Sequence, residues 1–182
     1  MIMDEIVRQV AYKGKNIALI GMPGTFKSTV GRLLAKNLKD MEFVDTDALY
    51  EKVIGETIKE TFATSGEAVF RKRETEVLSH AINTKRQVIA TGGGIVLQEA
   101  NRKLLKENCF VIQLHADPQT IYNRTRASGR RPLLANATPL SIYKLQLERK
   151  PYYDSVTKLH IITDNKHPRY ITREILAKIC DD

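Results

Sequence analysis

The sequence predicts a three-layer α/β/α fold in which helices cover both faces of a parallel sheet. Short apolar runs alternate with amphipathic helical segments from Asn16 onwards, and this alternation is typical of parallel sheets. Two of the apolar runs lead into glycine-bearing turns, where the backbone can approach a ligand closely. In folds of this class, ligands bind in the crevice beyond the carboxyl ends of the strands.

The predicted elements follow one another in regular order. The predicted strands are NIALIG (16–21), MEFVDTD (41–47), QVIA before the glycines (87–90), CFVIQLHA (109–116) and KLHIITD (158–164). The predicted helices are VGRLLAKNL (30–38), charged segments that continue to about residue 83, ANRKLLKE (100–107), PQTIYNRTRA (118–127), LSIYKLQLERKPYY (140–153) and RYITREILAKI (169–179). A polar loop, SGRRPLLANATP (128–139), interrupts the pattern.

Size and charge narrow the functional classes. A chain of 182 residues is long enough for one domain with a substantial core and short for two, so we interpret residues 1–182 as a single domain. The net charge of +8 favours anionic partners. No apolar run approaches the roughly 18 residues that span a bilayer, and MIMDEIVRQV does not resemble a signal peptide. We therefore expect a cytoplasmic protein with no membrane partner.

The strongest local motif is GMPGTFKST (21–29), placed between a predicted strand and a predicted helix as a phosphate-binding loop requires. Backbone N–H groups and the helix N-terminus can hold phosphate oxygens, Lys27 can reach the β and γ phosphates, and Ser28 can bind Mg²⁺. The match is incomplete, because Phe26 stands where the pattern has glycine. The alternative is a glycine-containing turn with a solvated Lys27.

Two carboxylates and a glycine run follow the next predicted strands. Asp45 and Asp47 would reach the same crevice and share a strand face if the strand continues that far; one could organise the water around Mg²⁺ while the other orients a substrate hydroxyl. Alternatively, Asp47 caps the following helix. The glycines at 92–94 would let the backbone approach a ligand, or form a flexible turn.

Arginines supply groups that can grip carboxylates and phosphates in two-point contacts. On helices, most arginines are simply solvated or paired with glutamates. Arg130 and Arg131 differ because they lie on a loop bounded by Gly and Pro, where a lid would bring cations to the transferring phosphate. The other candidates are Arg71, Arg124, Arg126 and Arg149.

These motifs together resemble the shikimate kinase family. The segments DTD, FRKRE, TGGG, RRPLL and ERKPYY occur in the order and approximate spacing of shikimate kinases, along with a variant P-loop, and the resemblance extends over about residues 16–169. It implies a P-loop kinase fold with a five-stranded parallel sheet. A helical substrate-binding region would lie near residues 46–76, and a mobile lid would lie near residues 127–138.

The resemblance also implies roles for residues around the substrate. Asp47 would bind the substrate hydroxyls and act as the candidate base. Arg71 and Arg149 would bind the carboxylate of shikimate, and Gly93 and Gly94 would contact the substrate through their backbone. Such an enzyme would act in the cytoplasm as a monomer, without nucleic-acid or membrane partners, on the pathway to chorismate and the aromatic amino acids.

On the nucleotide side, the resemblance implies binding of ATP and Mg²⁺. Lys27 and the lid residue Arg131 would act on the phosphates, and Asp45 would hold Mg²⁺ through water, together with Ser28. Arg124 would flank the adenine with the stretch from Lys166 to Pro168. The loop residues that would bind the nucleotide are Gly24, Thr25, Phe26, Lys27, Ser28 and Thr29.

Phe26 is the clear departure from the family pattern. A bulky residue there either strains the loop or turns its N–H groups away from phosphate, so we expect weaker ATP use than with glycine and a gain from Phe26→Gly. Its ring must also turn away from the nucleotide, unless the loop accommodates it and the ring packs elsewhere. This departure motivates one alternative function, a catalytically weakened shikimate-kinase-like binding protein.

Two further alternatives are another small P-loop kinase, acting on gluconate or on nucleotides, and a nucleic-acid binder. The combination of DTD, TGGG and well-spaced arginines argues against the other kinases. The nucleic-acid binder is suggested by net charge alone, and the sequence has no recognised nucleic-acid-binding motif.

Overall fold

The computed structural model describes residues 14–126 and 137–180. Within these ranges the strands are β1 (Asn16–Ile20), β2 (Glu42–Asp45), β3 (Gln87–Ala90), β4 (Cys109–His115) and β5 (Leu159–Ile162). The helices are α1 (Lys27–Asn37), α2 (Thr46–Ile54), α3 (Ile58–Thr64), α4 (Gly66–Asn83), α5 (Glu99–Asn108), α6 (Pro118–Thr125), α7 (Pro139–Asp154) and α8 (Pro168–Cys180). A short 3-10 turn covers Ile95–Leu97.

The five strands form one parallel sheet in the order β2-β3-β1-β4-β5, which confirms the predicted five-stranded parallel sheet. The first strand lies at the centre and is buried along its whole length. The chain passes from β1 to one side of the sheet for β2 and β3, and to the other side for β4 and β5. The loop after β1 therefore opens at the crossover point, where α/β proteins bind ligands.

Alternating side chains of β1 divide the core into two layers. Ala18 and Ile20 pack with apolar residues of α4, α5 and α7, including Leu78. Ile17 and Leu19 point to the opposite face and pack with α1 and α8. Since strand side chains alternate between the faces, one buried strand supports helices on both sides, and the predicted three layers are confirmed.

The region predicted to bind substrate, near residues 46–76, contains α2, α3 and the first part of α4. A small apolar cluster of its own holds these helices together. The ring of Phe70 lies 5.3 Å from that of Tyr50 and 4.7 Å from that of Phe62, measured between centroids. The Tyr50 hydroxyl is 3.0 Å from the hydroxyl of Thr61 on α3. The aromatic contacts join α2 and α3 to α4, and the hydrogen bond joins α2 to α3.

Residues 127–136 of the predicted lid, with Arg130 and Arg131, lie outside the described residues. Among the helices that the structure describes, none has both the length and the apolar character needed to span a membrane.

Candidate active site

The phosphate-binding loop leaves the carboxyl end of β1 through a glycine that no other residue can replace. Gly21 has a φ of 138°, and a Cβ atom on it would overlap the main-chain oxygen of Leu114. The side-chain hydroxyl of Thr25 donates to Met22 O at 2.8 Å and tightens the turn. Buried Lys27 donates from Nζ to the carbonyl oxygens of Gly21 and Met22, both at 2.8 Å, so the ammonium group lies inside the curve of the loop.

Phe26 keeps this loop geometry at the cost of a left-handed backbone conformation. Its φ and ψ are 67° and 19°, values that a glycine adopts more readily. Its carbonyl oxygen accepts from the N–H of Val30 at 2.8 Å, so α1 begins in the usual way. The helix N-terminus therefore still faces the loop, where its dipole favours a phosphate group.

Asp45 connects the phosphate loop to the end of β2. One carboxylate oxygen accepts from the Ser28 hydroxyl at 2.5 Å, while the other accepts from the N–H groups of Asp47 and Ala48 at 3.1 and 3.4 Å. Asp45 thus caps α2, and the alternative that Asp47 is the cap is wrong. The strand ends at Asp45, so the two acids do not share a strand face, and Asp47 lies in the first turn of α2.

The glycine turn, which contains Gly92, Gly93 and Gly94, follows β3. Its first glycine brings two carboxylates together. Gly92 donates its N–H to the hydroxyl of Thr46 at 3.2 Å, which holds the turn against α2. A Cβ atom built on Gly92 would lie 2.8 Å from Asp47 Oδ1 and 3.2 Å from Glu74 Oε1. A side chain here would displace the carboxylate of Asp47, so the close-approach explanation accounts for this position better than chain flexibility.

Arg71 and Glu74 form a buried ion pair on α4. The Arg71 guanidinium contacts Glu74 at 2.8 Å and the more exposed Glu67 at 3.0 Å, and it also lies against the backbone of Gly94. Burial opposes the charged form of Arg71, but the two glutamates outweigh it and raise its pKa. Burial raises the pKa of the Glu74 carboxyl, and Arg71 offsets only part of that effect. Arg71 is therefore a permanent cation at the glycine turn.

Arg149 and Tyr153 approach the same turn from α7. Arg149 Nη1 donates to the Gly93 carbonyl at 3.0 Å, and the Tyr153 hydroxyl donates to the same oxygen at 2.5 Å. Burial raises the pKa of Tyr153 to about 12, so the hydroxyl keeps its proton at neutral pH. A Cβ atom on Gly93 would lie 2.9 Å from Pro23 Cδ, so the phosphate loop and the glycine turn are in contact.

The residues predicted to flank adenine lie on the side of the phosphate loop away from the glycine turn. Arg124 on α6 donates to Gly24 O at 3.1 Å and to Thr163 Oγ1 and O at 3.0 and 2.7 Å. Lys166 follows β5 and pairs with Glu174 at 2.7 Å. Pro168 is the first residue of α8.

The predicted residues that the structure describes form two linked groups around the phosphate loop, one at the glycine turn and one at Arg124, with the exception of Arg126, which is exposed at the end of α6. Sequence reasoning missed Glu74 and Tyr153. Helical spacing contains a signal for both, because Glu74 is three residues after Arg71 and Tyr153 is four after Arg149, which places each pair on one helix face.

Chemically, this arrangement can bind phosphate at the loop and a carboxylate at the two buried arginines, with Asp47 beside both. The described residues contain no cluster of three or more His, Cys, Asp or Glu placed to bind a metal. The Ser28 and Asp45 pair still fits Mg²⁺, since this ion commonly takes few protein ligands and completes its shell with water and substrate phosphates.

Comparisons with known proteins agree with the sequence resemblance. The shikimate kinase family model matches residues 23–180. A shikimate kinase from Symbiobacterium thermophilum is 44% identical over 167 residues, 90% of this chain and 95% of that protein. The solved structure of shikimate kinase from Acinetobacter baumannii in complex with shikimate has a TM-score of 0.89 and 35% identity, and the match covers 98% of this chain and 97% of that one.

A gluconokinase from Sinorhizobium meliloti 1021 also superposes on this chain, with a TM-score of 0.57 and 18% identity over 92% of this chain and 93% of that one. That likeness shows a shared fold alone.

Proposed function

The chain belongs to the shikimate kinase family, and we propose that it transfers the γ-phosphoryl group of ATP to the 3-hydroxyl of shikimate, giving shikimate 3-phosphate. The observation that carries this proposal is the placement of Arg71 and Arg149. These two buried guanidinium groups, from different helices, meet at the glycine turn beside Asp47 and next to the phosphate loop. A carboxylate-bearing alcohol held there would direct a hydroxyl towards the phosphates.

The carboxylate of shikimate binds to Arg71 and Arg149 in this proposal. Both side chains are buried, so their hydrogen bonds to a carboxylate are poorly screened and strong. Gly93 and Gly94 complete this end of the site through their backbone, where any side chain would strike Pro23 or Arg71. The ring of the substrate then lies between the arginines and Asp47.

Asp47 orients the 3-hydroxyl and accepts its proton. As the hydroxyl oxygen forms its bond to the γ-phosphorus, the bond from that phosphorus to the bridging oxygen breaks and ADP leaves with the electron pair. Lys27 moves from the carbonyls of the loop to the phosphate oxygens and stabilises the charge that develops there. Ser28 and Asp45 would hold Mg²⁺, which supplies charge neutralisation on the phosphates.

The phosphates of the nucleotide bind to the loop residues Gly24–Thr29, and its base lies near Arg124 and the stretch from Lys166 to Pro168. Arg131 lies outside the described residues, and its role as a lid residue that reaches ATP phosphate stays a proposal.

Five further features also stay proposals: the lid at 127–138, the role of residues 46–76 as the substrate-binding region, the single-domain organisation, the monomeric state and the cytoplasmic location. The product would feed the pathway to chorismate and aromatic amino acids.

A coupled assay of ADP release tests this function. We expect Mg²⁺- and ATP-dependent turnover with shikimate, and little above background with gluconate or nucleoside monophosphates. Turnover with gluconate or a nucleotide in place of shikimate would assign the chain to a different acceptor. Shikimate binding without ADP release would favour the alternative of a catalytically weakened binding protein.

A further inference from the structure

The aromatic ring at the P-loop position that departs from the family pattern lies against an arginine. The Cζ atom of Arg124 is 4.0 Å from the centroid of the Phe26 ring, a short cation–π distance. The ring is half-buried and also touches the apolar layer of α1 and α8. It therefore packs away from the curve of the loop, where Lys27 lies.

Hydrogen bonds that lie in the plane of the guanidinium group fix the side chain of Arg124. They run to Gly24 O in the phosphate loop and to the hydroxyl and carbonyl of Thr163 after β5. Burial lowers the pKa of Arg124, and nearby Asp164 opposes that effect. Because these hydrogen bonds lie in the plane of the guanidinium, its flat faces take part in none of them; the Phe26 ring lies against one face, and Arg124 is partly exposed.

We propose that Phe26 is a nucleotide-positioning residue, whose ring clamps Arg124 so that the opposite face of the guanidinium stacks on the purine base of the phosphoryl donor. This inference rests on the proposed function, because it takes the loop to be the site for ATP. The stack runs from the Phe26 ring through the guanidinium to the base, and it couples the base subsite to the phosphate loop.

The clamp also offers a reason for a non-glycine residue at a φ of 67°. Glycine would relieve the backbone, but it would remove the ring from Arg124. The expectation from sequence that Phe26→Gly improves ATP use considers the backbone alone. The clamp predicts the opposite result for any ligand that carries a base.

Calorimetric titration of ADP and of inorganic tripolyphosphate, without shikimate, separates the two accounts. The Phe26→Leu variant keeps an apolar side chain but no ring, and Phe26→Tyr keeps the ring. We expect ADP binding to weaken about 3- to 30-fold in Phe26→Leu and in Phe26→Gly, with near wild-type affinity in Phe26→Tyr. Tripolyphosphate should bind all four proteins within about twofold, because it has no base to stack.

A double-mutant cycle adds a readout that a purely structural role would not move. On the Arg124→Lys background, the Phe26→Leu change should cost ADP binding little, because a lysine has no flat face to clamp. Equal ADP affinity in wild type and Phe26→Leu would overturn the clamp. So would tighter ADP binding by Phe26→Gly, or parallel losses for ADP and tripolyphosphate.

The outcomes also separate the clamp from the proposed function. If the Phe26→Leu variant phosphorylated shikimate and bound ADP with wild-type affinity, the role of Phe26 would be overturned and the proposed function would stand. If the wild-type protein bound neither ADP nor tripolyphosphate, both the clamp and the proposed function would be overturned.

Discussion

Arg149 donates a hydrogen bond from Nη1 to the main-chain carbonyl of Gly93 at 3.0 Å, while its buried Nε has no hydrogen-bond partner among the described residues. A buried donor without a partner is costly, so the site gains when a ligand supplies an acceptor. A carboxylate offers acceptors in a geometry that suits a guanidinium. The arrangement is therefore suited to an anion at this position.

Replacing Arg149 by lysine is predicted to weaken shikimate binding. Lysine keeps the charge but loses the fork of donors, and we expect a loss of about 1.5–3 kcal/mol, or roughly 10- to 150-fold in affinity. Calorimetric titration with shikimate measures the change. The methyl ester of shikimate, which lacks the negative charge, should distinguish the two proteins much less, and the exposed Arg86→Lys serves as the matched control. Unchanged affinity for shikimate in Arg149→Lys would remove Arg149 from the carboxylate site.

The Asp47→Asn variant is predicted to lose turnover while it stays folded. Removing the proton acceptor should lower kcat about 10²- to 10⁴-fold at saturating ATP and shikimate. The fold should tolerate the change, because Asp45 rather than Asp47 caps α2. Steady-state kinetics with a thermal melt check both points, and the exposed Asp40→Asn is the control. A kcat equal to that of wild type would contradict the role of Asp47.

The Asp45→Asn variant is predicted to raise the Mg²⁺ requirement. Asparagine can still cap α2 through its side-chain oxygen, so the melting temperature should change little. The lost carboxylate charge, which faces Ser28, should raise the Mg²⁺ concentration for half-maximal rate about 10- to 100-fold. Titration of Mg²⁺ at fixed ATP measures this. The same Mg²⁺ dependence in both proteins would show that Asp45 serves only as a cap.

Tyr153→Phe is predicted to cost stability and shikimate affinity together. The variant loses the donor to Gly93 O, which should lower the free energy of unfolding by about 0.5–1.5 kcal/mol. Arg149 would then be the remaining side-chain donor to Gly93 O in the described residues, and the glycine turn would be held less firmly. Because shikimate binds at this turn in the proposal, the KM for shikimate should rise more than the KM for ATP. Urea unfolding and kinetics test this against the more exposed Tyr152→Phe. If Tyr153→Phe behaved like Tyr152→Phe, the hydroxyl would have no positioning role.

The fold follows from local patterns, which explains why it could be predicted from the sequence. The fully buried β1 is apolar from Ile17 to Ile20, and the helix predicted over 169–179 differs from α8 by one residue at each end. The end of β2 was harder to predict, because Asp45 is both the last strand residue and the N-cap of α2. Strand alternation does not place Asp47, since the chain has already turned into a helix there.

Long-range contacts account for what the sequence could not show. The family resemblance places Arg71 and Arg149 in the site, but it does not show that Arg149 and Tyr153 share the carbonyl of Gly93, which depends on how α7 packs over the glycine turn. The strain predicted at Phe26 corresponds to its positive φ. The partner of its ring, Arg124, is distant in sequence, so only the folded chain reveals the contact.

Phosphorus NMR of the reaction product tests the central claim most directly. We expect wild-type protein, incubated with Mg²⁺, ATP and shikimate, to convert shikimate to a phosphomonoester whose phosphorus couples to the proton on carbon 3, with one ADP formed per product. The Asp47→Asn protein should form that ester far more slowly. ADP accompanied by free phosphate, or a phosphate ester at another hydroxyl, would contradict the account.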